Sequence, residues 1–187
     1  MEKRPGERVL VLMGLKHSGK SSIGEYLAAV NNTGFTDLDR LVMDAARREG
    51  YPSIRELYRT VGLKNFQVYE LKALRDFFRS NPVPSAVLAL GGGAVDNREA
   101  MELSGRHGHR IYIRVGEDIL IERILRGGIP PFLQGEKSPR EMFHQLYRRR
   151  DALYRRFADL TVELSDQPLE KNCNILYSVL KEHGYVR

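Results

Sequence analysis

Four short apolar runs punctuate the chain: Val9-Leu10-Val11-Leu12-Met13, Ala86-Val87-Leu88-Ala89-Leu90, Ile111-Tyr112-Ile113-Arg114-Val115 and Leu160-Thr161-Val162-Glu163-Leu164. The first two are continuously apolar, as strands covered on both faces of a parallel sheet are. The last two alternate, which places them nearer an edge. Gly34-Phe35-Thr36-Asp37 is a weaker fifth strand candidate. Between these runs, apolar residues recur at helical spacing. Ile23, Leu27 and Val30 mark one stripe, and Ile54, Leu57, Tyr58 and Val61 a second. Phe66, Leu71, Leu74 and Phe78 mark a third, Phe143, Leu146, Leu153 and Phe157 a fourth, and Leu169, Leu176 and Leu180 a fifth. Strands alternating with helices predict an α/β fold, a three-layer parallel sheet flanked by helices. Neither an internal repeat nor an interdomain linker is visible, so residues 1–187 are expected to form a single domain. The stretch 126–139 breaks the pattern with Gly127, Gly128, Gly135, Pro130, Pro131 and Pro139, and is expected to be an irregular excursion, a small mobile lid.

Composition narrows the class. Of 187 residues, 42% are hydrophobic and 29% charged, which excludes a disordered chain. No run of about 18 apolar residues exists, so no transmembrane helix is expected. The N-terminus lacks an apolar signal core. The single cysteine, Cys173, has no partner for an internal disulfide, and a buried or half-buried helix position is expected for it. A cytoplasmic, reduced setting follows as the expectation. The net charge of +6 fits an anionic partner or serves solubility alone. Nucleotides and carboxylate substrates come ahead of nucleic acid, because no aromatic residues interleave the arginines.

Gly14-Leu15-Lys16-His17-Ser18-Gly19-Lys20-Ser21 fits G-x-x-x-x-G-K-[ST] between an apolar strand and an amphipathic helix. In that context its backbone N–H groups and the helix N-terminus cradle phosphate. Lys20 then reaches the β- and γ-phosphates, and Ser21 ligates Mg²⁺. Lys16 and His17 fill variable slots, either joining the cradle or facing solvent. Asp37 and Asp39 follow. On an extended segment they point the same way, and beside Mg·ATP one carboxylate serves the metal and the other takes a proton from a substrate hydroxyl. Taken alone, Asp39 reads equally as a helix cap. Gly91, Gly92 and Gly93 end the second core strand and expose backbone where ligands bind in open α/β folds, or they form a tight turn. Arg150 falls on the apolar stripe of its helix. A buried guanidinium there pairs with a buried acid or faces an anionic ligand.

Together these residues resemble the shikimate kinase family from about Val9 to Leu180. Gly14–Ser21 with Ser22-Ile23-Gly24 resembles its phosphate loop and following helix. Phe35-x-Asp37-x-Asp39 resembles F-x-D-x-D, Leu90-Gly91-Gly92-Gly93 resembles L-G-G-G, and Arg150-Asp151-Ala152-Leu153-Tyr154 resembles R-x-x-L-Y. The resemblance implies a nucleoside-monophosphate-kinase-like fold of the P-loop NTPase class. It implies ATP- and Mg²⁺-dependent phosphorylation of a shikimate hydroxyl, a step of aromatic amino-acid biosynthesis; a monomer is the expected state. It places Gly14, Lys16, His17, Ser18, Gly19, Lys20, Ser21 and Ser22 at the nucleotide, with Arg123 as an adenine-stacking residue. Asp37 joins Ser21 at the metal. Asp39 holds the substrate hydroxyls and acts as base, Gly91, Gly92 and Gly93 contact the substrate, and Arg150 takes its carboxylate. The substrate-binding helical region falls at about 40–80.

Two departures stand out. Where the family has F-R-x-x-E, this chain has Phe66-Gln67-Val68-Tyr69-Glu70, so the clamp arginine is Gln67. Where the family's lid has R-P-L, this chain has Pro130-Pro131-Phe132. Losing a charge-assisted bond to a carboxylate costs about 1.5–3 kcal/mol. Arg126 and Arg123 are the nearby arginines that can swing in. A different small hydroxylated acceptor, or a non-catalytic nucleotide-binding module of the same fold, are therefore the alternatives to shikimate.

Overall fold

The computed structural model describes residues 8–80 and 86–186. The N-terminal stretch examined for a leader, 1–7, lies outside them. Among the described residues, five strands form one all-parallel sheet: β1 (Val9–Met13), β2 (Gly34–Asp37), β3 (Ala86–Ala89), β4 (Gly108–Val115) and β5 (Leu160–Leu164), in the order β2-β3-β1-β4-β5. The helices are α1 (Lys20–Val30), α2 (Leu38–Arg48), α3 (Ile54–Ser80), α4 (Arg98–His107), α5 (Glu117–Arg126), α6 (Pro139–Phe157) and α7 (Leu169–Glu182). Short 3₁₀ turns cover Ala94–Asp96 and 131–133.

β1 and β3 are wholly buried, as continuous apolar runs demand. β5 is an edge strand, as its alternation predicts. β4 is not; it runs between β1 and β5. Its polar positions are tolerated because Arg110 pairs with Asp159 and Arg114 with Asp151. The weak candidate β2 is real and forms the opposite edge, with Asp37 level with Ala89 of β3.

The helical stripes hold in outline, with corrections. Val30, Tyr58 and Leu169 are exposed, because each lies at a helix end or on an outer face. The buried line of α6 is Phe143, Tyr147 and Tyr154, while Leu146, Leu153 and Phe157 flank it half-buried. A Ser138–Glu141 capping box with Pro139 in the first turn starts that helix firmly. α3 is broken at Gly62, whose φ of 74° and ψ of 171° are not helical. Cys173 is buried on α7, as expected. The excursion after α5 is pinned at its centre by buried Leu133, with Ile129 and Phe132 exposed just ahead of it.

The order of strands places the carboxyl ends of β1, β3 and β2 side by side. Ligands bind at that edge of open α/β sheets. The three chain segments singled out for chemistry leave the sheet there.

Candidate active site

β1 runs directly into the phosphate-type loop. His17 and Gly19 adopt left-handed φ values of 64° and 89°, which wrap the loop back on itself. Gly19 does this without steric cost. Lys20 opens α1 and is only 8% exposed. Its ammonium turns back to donate to the Leu15 carbonyl at 2.8 Å and approaches the Ser18 hydroxyl at 3.4 Å. Burial strips its hydration and lowers its pKa to about 8, against the pull of Asp39 and Asp37. Ser18 is buried within the loop, while Lys16, His17, Ser21 and Ser22 are exposed on it. Arg123 of α5 closes over the loop, donating to the His17 carbonyl at 3.1 Å and pairing with Asp166 at 2.7 Å.

The two aspartates converge, but not by strand alternation. β2 ends at Asp37 and α2 begins one residue later. Asp37, not Asp39, is the helix cap: its Oδ1 accepts from the Asp39 N–H at 2.9 Å, while its Oδ2 accepts from the Ser21 hydroxyl at 2.6 Å. This leaves the Asp39 side chain open to the cleft. The crowded cleft walls raise its pKa, Asp37 raises it further, and Lys20 and Lys16 oppose.

Gly91, Gly92 and Gly93 run through the middle of the cleft floor, and each touches a different component. A Cβ at Gly91 would lie 2.5 Å from the Asp39 Oδ1, and one at Gly92 would lie 2.7 Å from the Lys16 backbone nitrogen. At Gly93 it would stand 3.2 Å from the Arg150 Nη2. The close approach of three neighbours, more than a turn, explains the absence of side chains.

Arg150 is half-buried and has an acid for a partner. Its Nε and Nη2 bind the Asp96 Oδ2 at 3.0 and 2.8 Å, and its Nη1 binds the Gly92 carbonyl at 3.1 Å. Gln67, half-buried on α3, donates to the Asp96 carbonyl at 3.2 Å. Glu70, one turn on, is 4% exposed and sits near Asp39 and Arg150. Burial and the Asp39 charge push its pKa up to about 7, opposed by a hydrogen bond from Asn97 and by Arg150.

Glu70 therefore carries a stability signature. Its carboxyl binds a proton more tightly folded than unfolded, so the cost of ionising it grows as pH rises from about 4.5 to about 7 and stays above that. A shift of this size corresponds to about 3 kcal/mol. Glu70→Gln is expected to unfold like the parent protein at pH 5 and to be more stable at pH 8, by denaturant titration. An equal gap at both pH values would remove Glu70 as the cause.

Sequence reasoning missed two members of this assembly. Asp96 lies 54 positions from its partner Arg150, and nothing local marks the pair. Tyr154 is fully buried, and its hydroxyl lies 3.0 Å from the Gly14 carbonyl and 3.1 Å from the Gly92 carbonyl. It ties the phosphate loop to the glycine loop, stacked on Tyr112 with ring centres 4.9 Å apart. The R-x-x-L-Y pattern was its only signal.

A family model described as shikimate kinase matches residues 16–181. The chain belongs to the shikimate kinase family. A shikimate kinase from Bartonella henselae is 33% identical over 155 residues, covering 83% of this chain and 70% of the relative. One from Aeromonas salmonicida is 32% identical over 161 residues, covering 86% and 90%. A solved shikimate kinase from Acinetobacter baumannii in complex with shikimate aligns over 96% of both chains with a TM-score of 0.82 at 24% identity, which supports the fold. As a shikimate kinase family member the protein is a small-molecule kinase using ATP and Mg²⁺. The residues fit both. Lys20 is a desolvated cation held against the loop that His17 and Gly19 turn back on itself. No cluster of three His, Cys, Asp or Glu exists among the described residues, and the Ser21–Asp37 pair suits an ion held by one hydroxyl, one carboxylate, phosphate and water. No helix among the described residues is long and apolar enough to cross a membrane.

Proposed function

We propose that the protein transfers the γ-phosphoryl group of Mg·ATP to one hydroxyl of a small polyhydroxylated acceptor, with shikimate the first acceptor to try. One observation carries this reading: the Asp39 carboxylate lies against Gly91 and within electrostatic reach of Lys20. A base, a phosphate cation and an open strip of backbone thus share one cleft.

The bound Mg·ATP supplies the phosphoryl group and a neutralising cation. The loop from Gly14 to Gly19 donates backbone N–H groups, and Lys20 swings from the Leu15 carbonyl onto the phosphates. Ser21 and Asp37 would hold the metal. Lys16, His17 and Ser22 border the phosphates, and Arg123 takes the adenine face. Asp39 accepts the acceptor's hydroxyl proton; its raised pKa makes it a better base than an ordinary aspartate. Gly91, Gly92 and Gly93 bring backbone to the acceptor, with Gln67 and Arg150 at its far side. The α2–α3 region forms the acceptor wall. Residues 126–139 act as the lid, where exposed Ile129 and Phe132 have apolar surface to bury on closing. Arg126, exposed at its base, stands in for an arginine at Pro130. A monomer in a reduced cytoplasm is part of this reading, and the single, buried Cys173 agrees with the reduced setting.

A second reading, an acceptor other than shikimate, is favoured by one contact: Arg150 is already bound to Asp96.

The test is ADP release from Mg·ATP with and without shikimate, with Lys20→Met as control. Acceptor-dependent release that the control lacks is expected. Intact ATP binding with no release stimulated by shikimate or by a panel of polyols would overturn the kinase reading.

A further inference from the structure

Arg150 lies against Gly92 and Gly93. A guanidinium has five N–H donors. Three point at protein acceptors here, two of them at one carboxylate oxygen of Asp96. Asp96 is itself fixed from several sides. The Arg149 Nη2 stands 3.1 Å from its carboxylate. Its N–H binds the Gly93 carbonyl at 3.0 Å, and its own carbonyl accepts from Gln67 at 3.2 Å. The Asn97 amide closes the ring on the Gln67 carbonyl at 2.9 Å. The Asp96 side chain is 15% exposed, and its buried Oδ1 has the Arg149 Nη2 as an ion-pair partner at 3.1 Å, outside hydrogen-bond geometry. This is a built pairing and not a surface ion pair. Across Gly91 stand two further carboxyls, Asp39 and Glu70.

An acceptor carboxylate entering this space meets a guanidinium whose charge is balanced by Asp96, with the further carboxyl groups of Asp39 and Glu70 beside Gly91. A hydroxyl meets something different. It can accept from the N–H groups Arg150 has left and donate to a carboxylate oxygen, which a carboxylate cannot do. We propose that Asp96 fills on Arg150 the seat that an acceptor's carboxylate would take, so that Asp96 and Gln67 set the enzyme's specificity for an acceptor chosen by its hydroxyls and uncharged at that end. The inference rests on the kinase reading of the same cleft and deepens it.

Shikimate and its methyl ester share ring hydroxyls and differ in the one charge, so they isolate the effect. Binding of each is measured by calorimetry with ADP and Mg²⁺ present, which does not depend on turnover. The parent protein is expected to bind the ester at least as well as shikimate. Asp96→Asn keeps the shape and frees the charge of Arg150. It is expected to raise affinity for shikimate at least about tenfold while moving the ester less than about threefold. Gln67→Arg leaves Asp96 in place, adds a cation and is expected to shift the ratio the same way, so poor folding of one variant leaves the other as a test. A parent protein that binds shikimate more than about tenfold better than the ester overturns the inference. So does an unchanged ratio in both variants, including the case where neither ligand binds and neither variant gains shikimate. Failure of the kinase reading registers separately, as absent nucleotide binding or absent acceptor-stimulated ADP release.

Discussion

Lys20→Met is expected to cut turnover by at least about 10²–10³-fold and yet to stabilise the folded protein at neutral pH. Lys20 is 8% exposed, and among the described residues its ammonium bonds to the Leu15 carbonyl and weakly to Ser18. Its pKa is lowered to about 8 by burial. The folded state thus disfavours the charged form. That cost is fully present below pH 8 and fades as pH rises toward the unfolded value near 10.5. A shift of this size is worth about 3 kcal/mol, against about 1 kcal/mol for the lost hydrogen bond to Leu15. Methionine keeps most of the volume and removes the charge. Denaturant unfolding without nucleotide should show the variant ahead at pH 7 and level near pH 10. A variant less stable at pH 7 would mean that burial of Lys20 carries no net cost. Retained turnover would remove Lys20 from phosphate handling.

Asp39→Asn is expected to lower kcat about 10²–10⁴-fold while leaving nucleotide binding within about threefold. Asparagine preserves the shape beside Gly91 and cannot take a proton. Because Asp39 helps hold the Lys20 pKa up, nucleotide binding is best compared near pH 6.5, where the lysine stays charged in both proteins. The parent rate should rise with pH through a point above the ordinary aspartate range, following the raised pKa of Asp39. The variant should lose that limb. Equal turnover, or an unchanged pH profile in the variant, would assign proton removal to another group.

What was legible in the sequence was contiguous. The phosphate loop, the glycine triplet and the strand run ahead of each are local patterns, and the sheet follows from them. Non-local pairings were not legible. Arg150 on an apolar stripe announced that it needed a partner, but Asp96 follows a run of small residues and carries no such signal. The aspartates were expected together by strand alternation. They meet because the chain turns from strand to helix at Asp37, a boundary that a period-two reading passes over. α4 and α5 left no stripe because they are ten residues each, with only three buried residues apiece. The break in α3 was hidden because Gly62 sits between two good helical stretches. The outward shift of the α6 stripe reflects two tyrosines, Tyr147 and Tyr154, that carry polar hydroxyls and still take the innermost places because each finds a carbonyl.

The glycine triplet has a consequence for how such an enzyme changes over generations. Behind Gly92 lies the machinery that handles the phosphoryl donor, carried by β1 and α1. In front of Gly93 lie Arg150, Asp96 and Gln67, carried by α6, the 94–96 turn and α3. The two sets meet at the glycine triplet and at Tyr154, whose hydroxyl reaches the carbonyls of both Gly14 and Gly92. Substitutions on the acceptor side, at Gln67 or Asp96, are therefore expected to leave the donor side undisturbed. A lineage built this way inherits its chemistry whole and renegotiates its diet one side chain at a time.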